Sequence, residues 1–552
     1  MLVYKAGRVS TARAPAGLLL LAIVAGGTAL RAYRLDWGLP GHNFPDDVMH
    51  FLRPAARAAA SGSWLPVPDA FIHGPVLIGL LAAAFRVWAL ATGTTIEPPP
   101  LGVTPQLETL TLVGRALNVG VAALSIVMSY LVARRLIGRT GALLAAAALA
   151  FSPLHVLESH RLAPDIPAVL FVLIALWLGL VADERRSTAL LVASGAVAGI
   201  AIATRYTAAL ALAGPLLVLA RRRGGGAVVA LGVATVGGFL VGGLPLLARP
   251  QRFASDVGLI AVLGYGVNAP GVTLADGLAQ QRWVYPLAVA LPYMMGWALY
   301  LLALVGLWKL WRRDRRAAAV VLAGLAPFLV LIGASRAAVP RYYLQVLPFL
   351  AIGAGAAIAA SGRPLVRAVG VAAVAYTMLL ATAQAGRLRL EPQHEVGVLT
   401  DRLANEAAAA HRAPLVMAYP SRIWLHYDAV SREVRRPDVR IVEFPPAFMN
   451  PFADPTGAPA PDAWLAAEGV DAVVVPSWVE NAVARMQTPG VSHAFLHALA
   501  DGSLGFREAG NFRTRYPTQC LYTWGDPMLD THWETAIAGY RVYVRERAAG
   551  RG

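Results

Sequence analysis

Along this 552-residue chain, apolar runs of roughly 17 to 25 residues recur between short basic clusters, and that spacing dictates the fold class. With 57% hydrophobic and only 14% charged residues, the chain lacks the charge to clothe a soluble surface of this size. It is expected to be a polytopic α-helical membrane protein. In another chain a net charge of +16 would point to nucleic acid, but here the arginines sit between apolar runs, as in cytoplasmic loops. The single cysteine, Cys520, excludes an internal disulfide or a thiolate metal cluster. The first apolar run, Pro15 to Leu30, follows Lys5, Arg8 and Arg13 and reads as an uncleaved anchor, because many spans come after it.

Orientation follows from charge. The basic clusters are the N-terminus, Arg134–Arg139, Asp183–Arg186, Arg221–Arg223, Lys309–Arg316 and Arg363–Arg367. Placing all six in the cytoplasm predicts about eleven transmembrane helices, near 15–33, 110–133, 140–157, 164–181, 187–204, 207–220, 226–247, 284–307, 316–334, 342–360 and 366–384. An odd count puts the N-terminus in the cytoplasm and everything after residue 385 outside a cell (inner or plasma) membrane. The apolar run Pro75 to Ala91, interrupted by Arg86 and Trp88, fits an outer interfacial helix within a long first external loop, 34–109. A second external segment, Arg249 to Val284, mixes Gly264, Gly266, Pro270 and Gly271 with polar residues and reads as a mobile flap.

The expected organisation is a transmembrane catalytic domain, 1–385, and a small extracytoplasmic α/β domain, 386–552. In the latter, β-rich runs at Pro414–Ala418, Val439–Phe444, Val470–Pro476 and Tyr540–Arg545 alternate with helix-like stretches at 396–411 and 479–487. No Gly-rich phosphate loop follows any of these strands, and the chain has no internal repeat.

Charged residues beside or within a bilayer are expensive and tend to mark function. Asp46 and Asp47 stand in the first external loop, in His42-Asn-Phe-Pro-Asp-Asp-Val-Met-His50. Asp165 opens a span just ahead of Ile166-Pro167, a placement that suits a helix cap and a reaction site equally. Arg205, and Arg336 with Arg341, occupy turns that parity puts outside, against the charge rule; they suit lipid headgroups or an anionic lipid substrate. One carboxylate with several arginines matches displacement from a lipid phosphate, whose departure needs cations rather than a protonated acid. A glycosidase would need two carboxylates flanking the bond, and the neighbouring side chains of Asp46 and Asp47 diverge.

Five segments, in order, resemble the GT-C membrane glycosyltransferases, most closely the protein O-mannosyltransferase and aminoarabinose-transferase-like group (glycosyltransferase family 39 and bacterial relatives). They are Phe44-Pro-Asp-Asp47; Gly114-Arg-Ala-Leu-Asn118 through Gly138; Ser152-Pro-Leu-His155 with Ser159-His-Arg-Leu-Ala-Pro-Asp165; Ala203-Thr-Arg-Tyr-Thr207; and Arg341-Tyr-Tyr-Leu-Gln-Val-Leu-Pro348. The resemblance implies Asp46 as catalytic base, Asp165 as a second acid shaping the substrate site, and Arg205 and Arg341 on the lipid phosphate. Asp47, His73, His160 and Tyr342 join them as substrate-binding candidates. Asp47 stands where relatives carry Glu, and His73-Gly-Pro75 where they often carry Lys-Pro-Pro or His-Pro, which leaves the acceptor open.

The expected activity is transfer of a sugar from a polyprenyl-phosphate-linked donor to a hydroxyl on protein, glycolipid or cell-wall glycan, outside the membrane and with inversion. No cofactor is required; Asp46, Asp165, His155 and His160 form a candidate divalent-metal set that is not favoured. The rival readings are a lipid-linked-sugar transporter and a lipid-binding scaffold. A transporter calls for repeated halves and midplane charges, whereas here charge gathers at one face; a scaffold has no need of Asp46.

Overall fold

In a computed structural model, residues 13–37, 39, 47–63, 67–68, 70–98, 105–265, 282–335, 340–359, 361, 363–386, 391–412, 414–419, 436–449, 456–476, 479–480, 483, 490–512 and 539–546 are described. Helices dominate to Gly386, and a five-stranded sheet follows. Six described helices are long and apolar enough to cross a membrane, or seven if the bent pair Pro286–Met295 and Trp297–Arg313 makes one span. Shorter apolar helices occupy Ala16–Ala32, Val76–Thr92, Thr188–Thr204 and Ala208–Arg221. The last, at 14 residues, is about 21 Å long, short of a hydrocarbon core of about 30 Å.

Two expected spans are broken rather than straight. The helix Pro105–Ala150 kinks at Gly138, whose φ of 76° only glycine adopts readily, and it stops at Ala150 before a separate short helix, Pro153–Glu158. The expected span 284–307 turns by 112° at Gly296. Proline at 286 and 292 weakens the helix there, and side chains from elsewhere take up the freed carbonyls: the Ser152 hydroxyl donates to Met294 O (2.6 Å) and that of Thr377 to Met295 O (3.2 Å). Buried Arg31 does the same at the end of the long helix, donating to the carbonyls of Ala150 (2.7 Å) and Leu149 (3.2 Å).

Small residues let the helices close on one another. A Cβ added to Gly199 would lie 2.2 Å from Thr235 O, so Thr188–Thr204 and Gly225–Gly242 touch backbone to backbone. The run after Pro75 is helical over Val76–Thr92, with Leu77, Leu81 and Phe85 buried; Arg86 donates to Ala58 O (2.6 Å) and Ser63 O, tying this helix to Arg53–Ala60. The segment expected to be a flap starts as a helix, Pro250–Tyr265; residues 266–281 lie outside the described residues.

The sheet comprises β1 (Leu415–Tyr419), β2 (Val439–Glu443), β3 (Ala472–Pro476), β4 (Phe506–Phe512) and β5 (Tyr540–Arg545), in the order β2-β1-β3-β5-β4. β2, β1 and β3 run parallel; β5 is antiparallel to both its neighbours. Wholly buried β1 and β3 are the continuous apolar runs of the sequence, and alternate side chains feed two cores: Met417, Ile441 and Val474 pack under the Glu391–Ala409 helix, while Ala418, Val442 and Val475 pack against Phe448 and Phe495.

The Asp165–Arg185 helix positions everything that follows. Its 21 residues rise about 30 Å, and its two ends carry different charge clusters. At the Arg185 end the basic clusters meet: Arg135 pairs with Glu184, Arg316 and Arg222 with Asp183, and Arg223 donates to Ser187 O.

Candidate active site

At the other end of that helix, acids and arginines from five segments converge, nearly all of them buried. Asp165 is the first helical residue and 1% exposed. Its carboxylate meets Arg205, with Nε 3.0 Å from Oδ1 and Nη1 3.3 Å from Oδ2, and accepts from Gln345 Nε2 at 3.4 Å. Arg205 can reach back because it adopts an extended conformation in the turn between Thr188–Thr204 and Ala208–Arg221. The guanidinium carbons of Arg205 and Arg341 lie 5.1 and 5.8 Å from the ring centroid of Tyr342, so one aromatic face gathers two cations. Asp165, Arg205, Arg341 and Tyr342 are thus brought together.

Asp47 opens a single π-helical turn, Asp47–Leu52, and accepts from Arg161 Nη2 (3.3 Å) and from the Leu162 amide (2.9 Å). Arg161 also faces Glu158 at 3.3 Å. Asp46, the predicted base, lies outside the described residues.

His73 is held by rings, 5.3 Å from Phe51 and 6.1 Å from His50. Burial, and the nearby charges of Arg205, Arg341, His50 and Arg161, push its imidazole well below the usual histidine range, so the ring is neutral at pH 7. Its loop docks on the Arg205 turn: a Cβ on Gly74 would lie 1.8 Å from Ala203 O, and the Tyr206 hydroxyl donates to the carbonyls of Phe71 and His73, both at 3.2 Å. His160 is drawn elsewhere. Its ring nitrogens sit 2.9 Å from Val156 O and from Tyr33 O, and burial lowers its pKa to about 4. That placement makes it a strap between the loop and the end of the first helix.

Residues that the sequence reading passed over complete the site. Arg161 and Gln345 lay inside recognised motifs without a role, and Glu158 between the two halves of one. Asp256, on the Pro250–Tyr265 helix, accepts from the Phe71 amide at 2.8 Å and pairs with Arg252 at 3.1 Å. The motif Gly114-Arg-Ala-Leu-Asn118 proves architectural: Arg115 donates to the carbonyls of Leu35 and Trp37, and Asn118 to that of Arg161 (2.6 Å). Among the described residues no three His, Cys, Asp or Glu gather as a metal-ligand set. Of the candidate ligands, His155 turns to Arg31 (2.9 Å) and His160 to backbone carbonyls.

Chemically, the cluster is three carboxylates (Asp47, Glu158, Asp165) among three guanidiniums (Arg161, Arg205, Arg341), with a neutral imidazole beside them. Their fields overlap, for Arg341 and Asp165 both act on Glu158, and Arg161 and Arg205 both act on His73. Such an arrangement can stabilise a change of charge on a bound group away from water.

Known proteins resemble this chain both in sequence and in fold. Residues 111–242 match the family model described as dolichyl-phosphate-mannose-protein mannosyltransferase. The structure of ArnT from Cupriavidus metallidurans bound to undecaprenyl phosphate aligns with 98% of this chain and 99% of its own, at 16% identity and a TM-score of 0.52. The oligosaccharyltransferase of Archaeoglobus fulgidus, in complex with zinc and sulfate, aligns over 94% of this chain and 74% of its own, at 13% identity and a TM-score of 0.51. The same enzyme tethered to an acceptor peptide aligns over 92% and 73%, at 13% identity and a TM-score of 0.51. No curated protein matches by sequence. The chain is therefore similar to the GT-C membrane glycosyltransferases, in one stretch of its sequence and in the fold of nearly its whole length. Within that class, the sequence match is to the mannosyltransferase family model.

Proposed function

We propose that this protein transfers a sugar from a polyprenyl-phosphate-linked donor to a hydroxyl acceptor at the extracytoplasmic face of a cell membrane, with inversion at the sugar carbon. The observation that carries the reading is the Asp165–Arg205 pair and Arg341 gathered on the face of Tyr342, buried at one end of an apolar helix bundle. A phosphate monoester or diester is the anion that such planar, multidentate cations hold best. The undecaprenyl phosphate held by the Cupriavidus ArnT structure supports the same donor class. In this reading the bundle has eleven spans, the basic ends of Asp165–Arg185 and its neighbours face the cytoplasm, and the sheet forms a separate outer domain from about residue 386.

The acceptor oxygen attacks the sugar carbon opposite the phosphate. Its proton passes to Asp46 as the carbon–oxygen bond to phosphate breaks, and the departing lipid phosphate takes the electron pair beside Arg205 and Arg341. Asp47 is the weaker candidate for the base, because both its oxygens already accept bonds from Arg161 and Leu162. No metal enters this scheme.

The test is turnover of radiolabelled polyprenyl-phosphate sugar by purified protein in nanodiscs. Asp46→Asn should insert and fold normally yet lose about 10²–10⁴-fold in transfer, since the amide is nearly isosteric and cannot take the proton. Undiminished turnover in that variant would remove Asp46 from the mechanism.

A further inference from the structure

A second charged feature lies at the basic end of the bundle, far from the acid–arginine cluster. Between the end of Trp297–Arg313 and the start of Pro364–Gly386 is a recess of about 370 Å³, lined by Trp308, Lys309, Arg312, Arg313, Ser361 and Arg363. Among the described residues no carboxylate lines it. The acid nearest in sequence, Asp314, is spent on capping the next helix through the Ala317 amide (3.0 Å). Elsewhere at this end arginines find acids, as Arg135, Arg222 and Arg316 do. Here Lys309 reaches the Ala357 carbonyl, at 3.3 Å, and Arg312 the Trp308 ring, 5.7 Å away. Among the described residues, none of Lys309, Arg312, Arg313 and Arg363 has an ion-pair partner.

The helix leading to the recess adds the other half of a ligand. Leu301, Leu304, Val305, Trp308 and Arg312 recur at helical spacing, so they form one stripe along Trp297–Arg313. The first four are 43–60% exposed, and Leu365 on the facing helix is 75% exposed. An apolar stripe that ends in an aromatic ring and four converging cations matches an acyl chain followed by an anionic headgroup. The volume suits a phosphodiester with its glycerol.

We propose that this recess is a binding site for an anionic glycerophospholipid, held by its phosphodiester, and separate from the site of sugar transfer. The proposal needs only that the bundle lies in a membrane, and it stands apart from the donor reading. Delipidated protein would be offered equal amounts of phosphatidylglycerol and phosphatidylcholine and examined by native mass spectrometry. Wild type should retain phosphatidylglycerol preferentially. Arg312→Gln/Arg313→Gln/Arg363→Gln should lose that preference, by about fivefold for each cation removed. The corresponding triple Lys variant should keep most of it, and Arg402→Gln/Arg507→Gln, in the sheet region, all of it. Equal retention of the two lipids by wild type would overturn the proposal, as would an unchanged preference in the glutamine variant. Displacement of the lipid by millimolar inorganic phosphate would also overturn it, by showing a site for free phosphate instead.

Discussion

Charge is handled in opposite ways at the two ends of the Asp165–Arg185 helix. At the Asp165 end the ion pairs are desolvated: the side chains of Arg161 and Asp47 are 1% and 8% exposed, and Asp165 faces Arg205 with similar burial. At the Arg185 end the pairs are open, with the arginines that meet Asp183 each 41% exposed. Burying ions costs several kcal/mol each before pairing returns any of it, so the first arrangement is a poor investment in stability and makes sense as a preorganised field. Water and salt screen the second, so its pairs carry little energy.

The largest expected difference is in stability. Arg161→Met leaves Asp47 and Glu158 buried without their shared cation and should cost about 3–5 kcal/mol. Arg222→Met, at the open end, should cost less than about 1 kcal/mol. Thermal unfolding of both in the same detergent checks this, and equal shifts would erase the contrast. Next in size is donor recognition. Arg205→Ala and Arg341→Ala should each weaken donor use by about 1.5–3 kcal/mol, with little effect on acceptor use, and Lys should rescue only in part. A donor titration at saturating acceptor reads this out; unchanged curves would reduce both residues to headgroup anchors.

Gly74 tests how tightly the first external loop is built onto the site. Gly74→Ala places a methyl against the Ala203 carbonyl and must push the loop off the Arg205 turn, at about 1–3 kcal/mol. Transfer should fall along with stability; an unaffected variant would mean that the loop is free to move. The smallest effect is on pH dependence. His73 and His160 both have folded-state pKa values below the unfolded value of about 6.5. As pH falls, the unfolded chain therefore takes up protons first. Their contribution is complete above about pH 6.5 and is lost as pH drops, for His160 down to about 4. His73→Gln/His160→Gln should flatten the decline in melting temperature over that range, and a parallel decline would assign it to other groups.

Much of the fold was legible. Apolar windows and basic loops are local properties, so helices formed in or near every predicted span, and buried runs announced β1, β2, β3 and β5. β4 escaped notice because it is an edge strand with mostly exposed, polar side chains, and nothing in Phe506–Phe512 alternates cleanly. The bend at Gly296 was hidden because the hydroxyls that make it tolerable, on Ser152 and Thr377, are far away in sequence. In the site, arginines at turns that parity places outside the membrane stood out against the charge rule, which is why Arg205 and Arg341 could be named. Arg161 stands in an equally external turn, between 140–157 and 164–181, and broke the same rule without being singled out, whereas Glu158 and Asp256 broke no local rule and so gave no signal.

What the sequence by itself determined is the class of solvent this protein meets, where its helices run and which polar residues violate the pattern, since hydropathy and charge belong to single residues and short windows. Only the tertiary structure decided which charge answers which. Arg205 finds Asp165 across 40 positions, Arg161 finds Asp47 across 114 and Gln345 finds Asp165 across 180. A buried ion takes whichever partner packing brings within about 3 Å, and packing joins helices whose order along the chain says nothing about their spacing in the bundle.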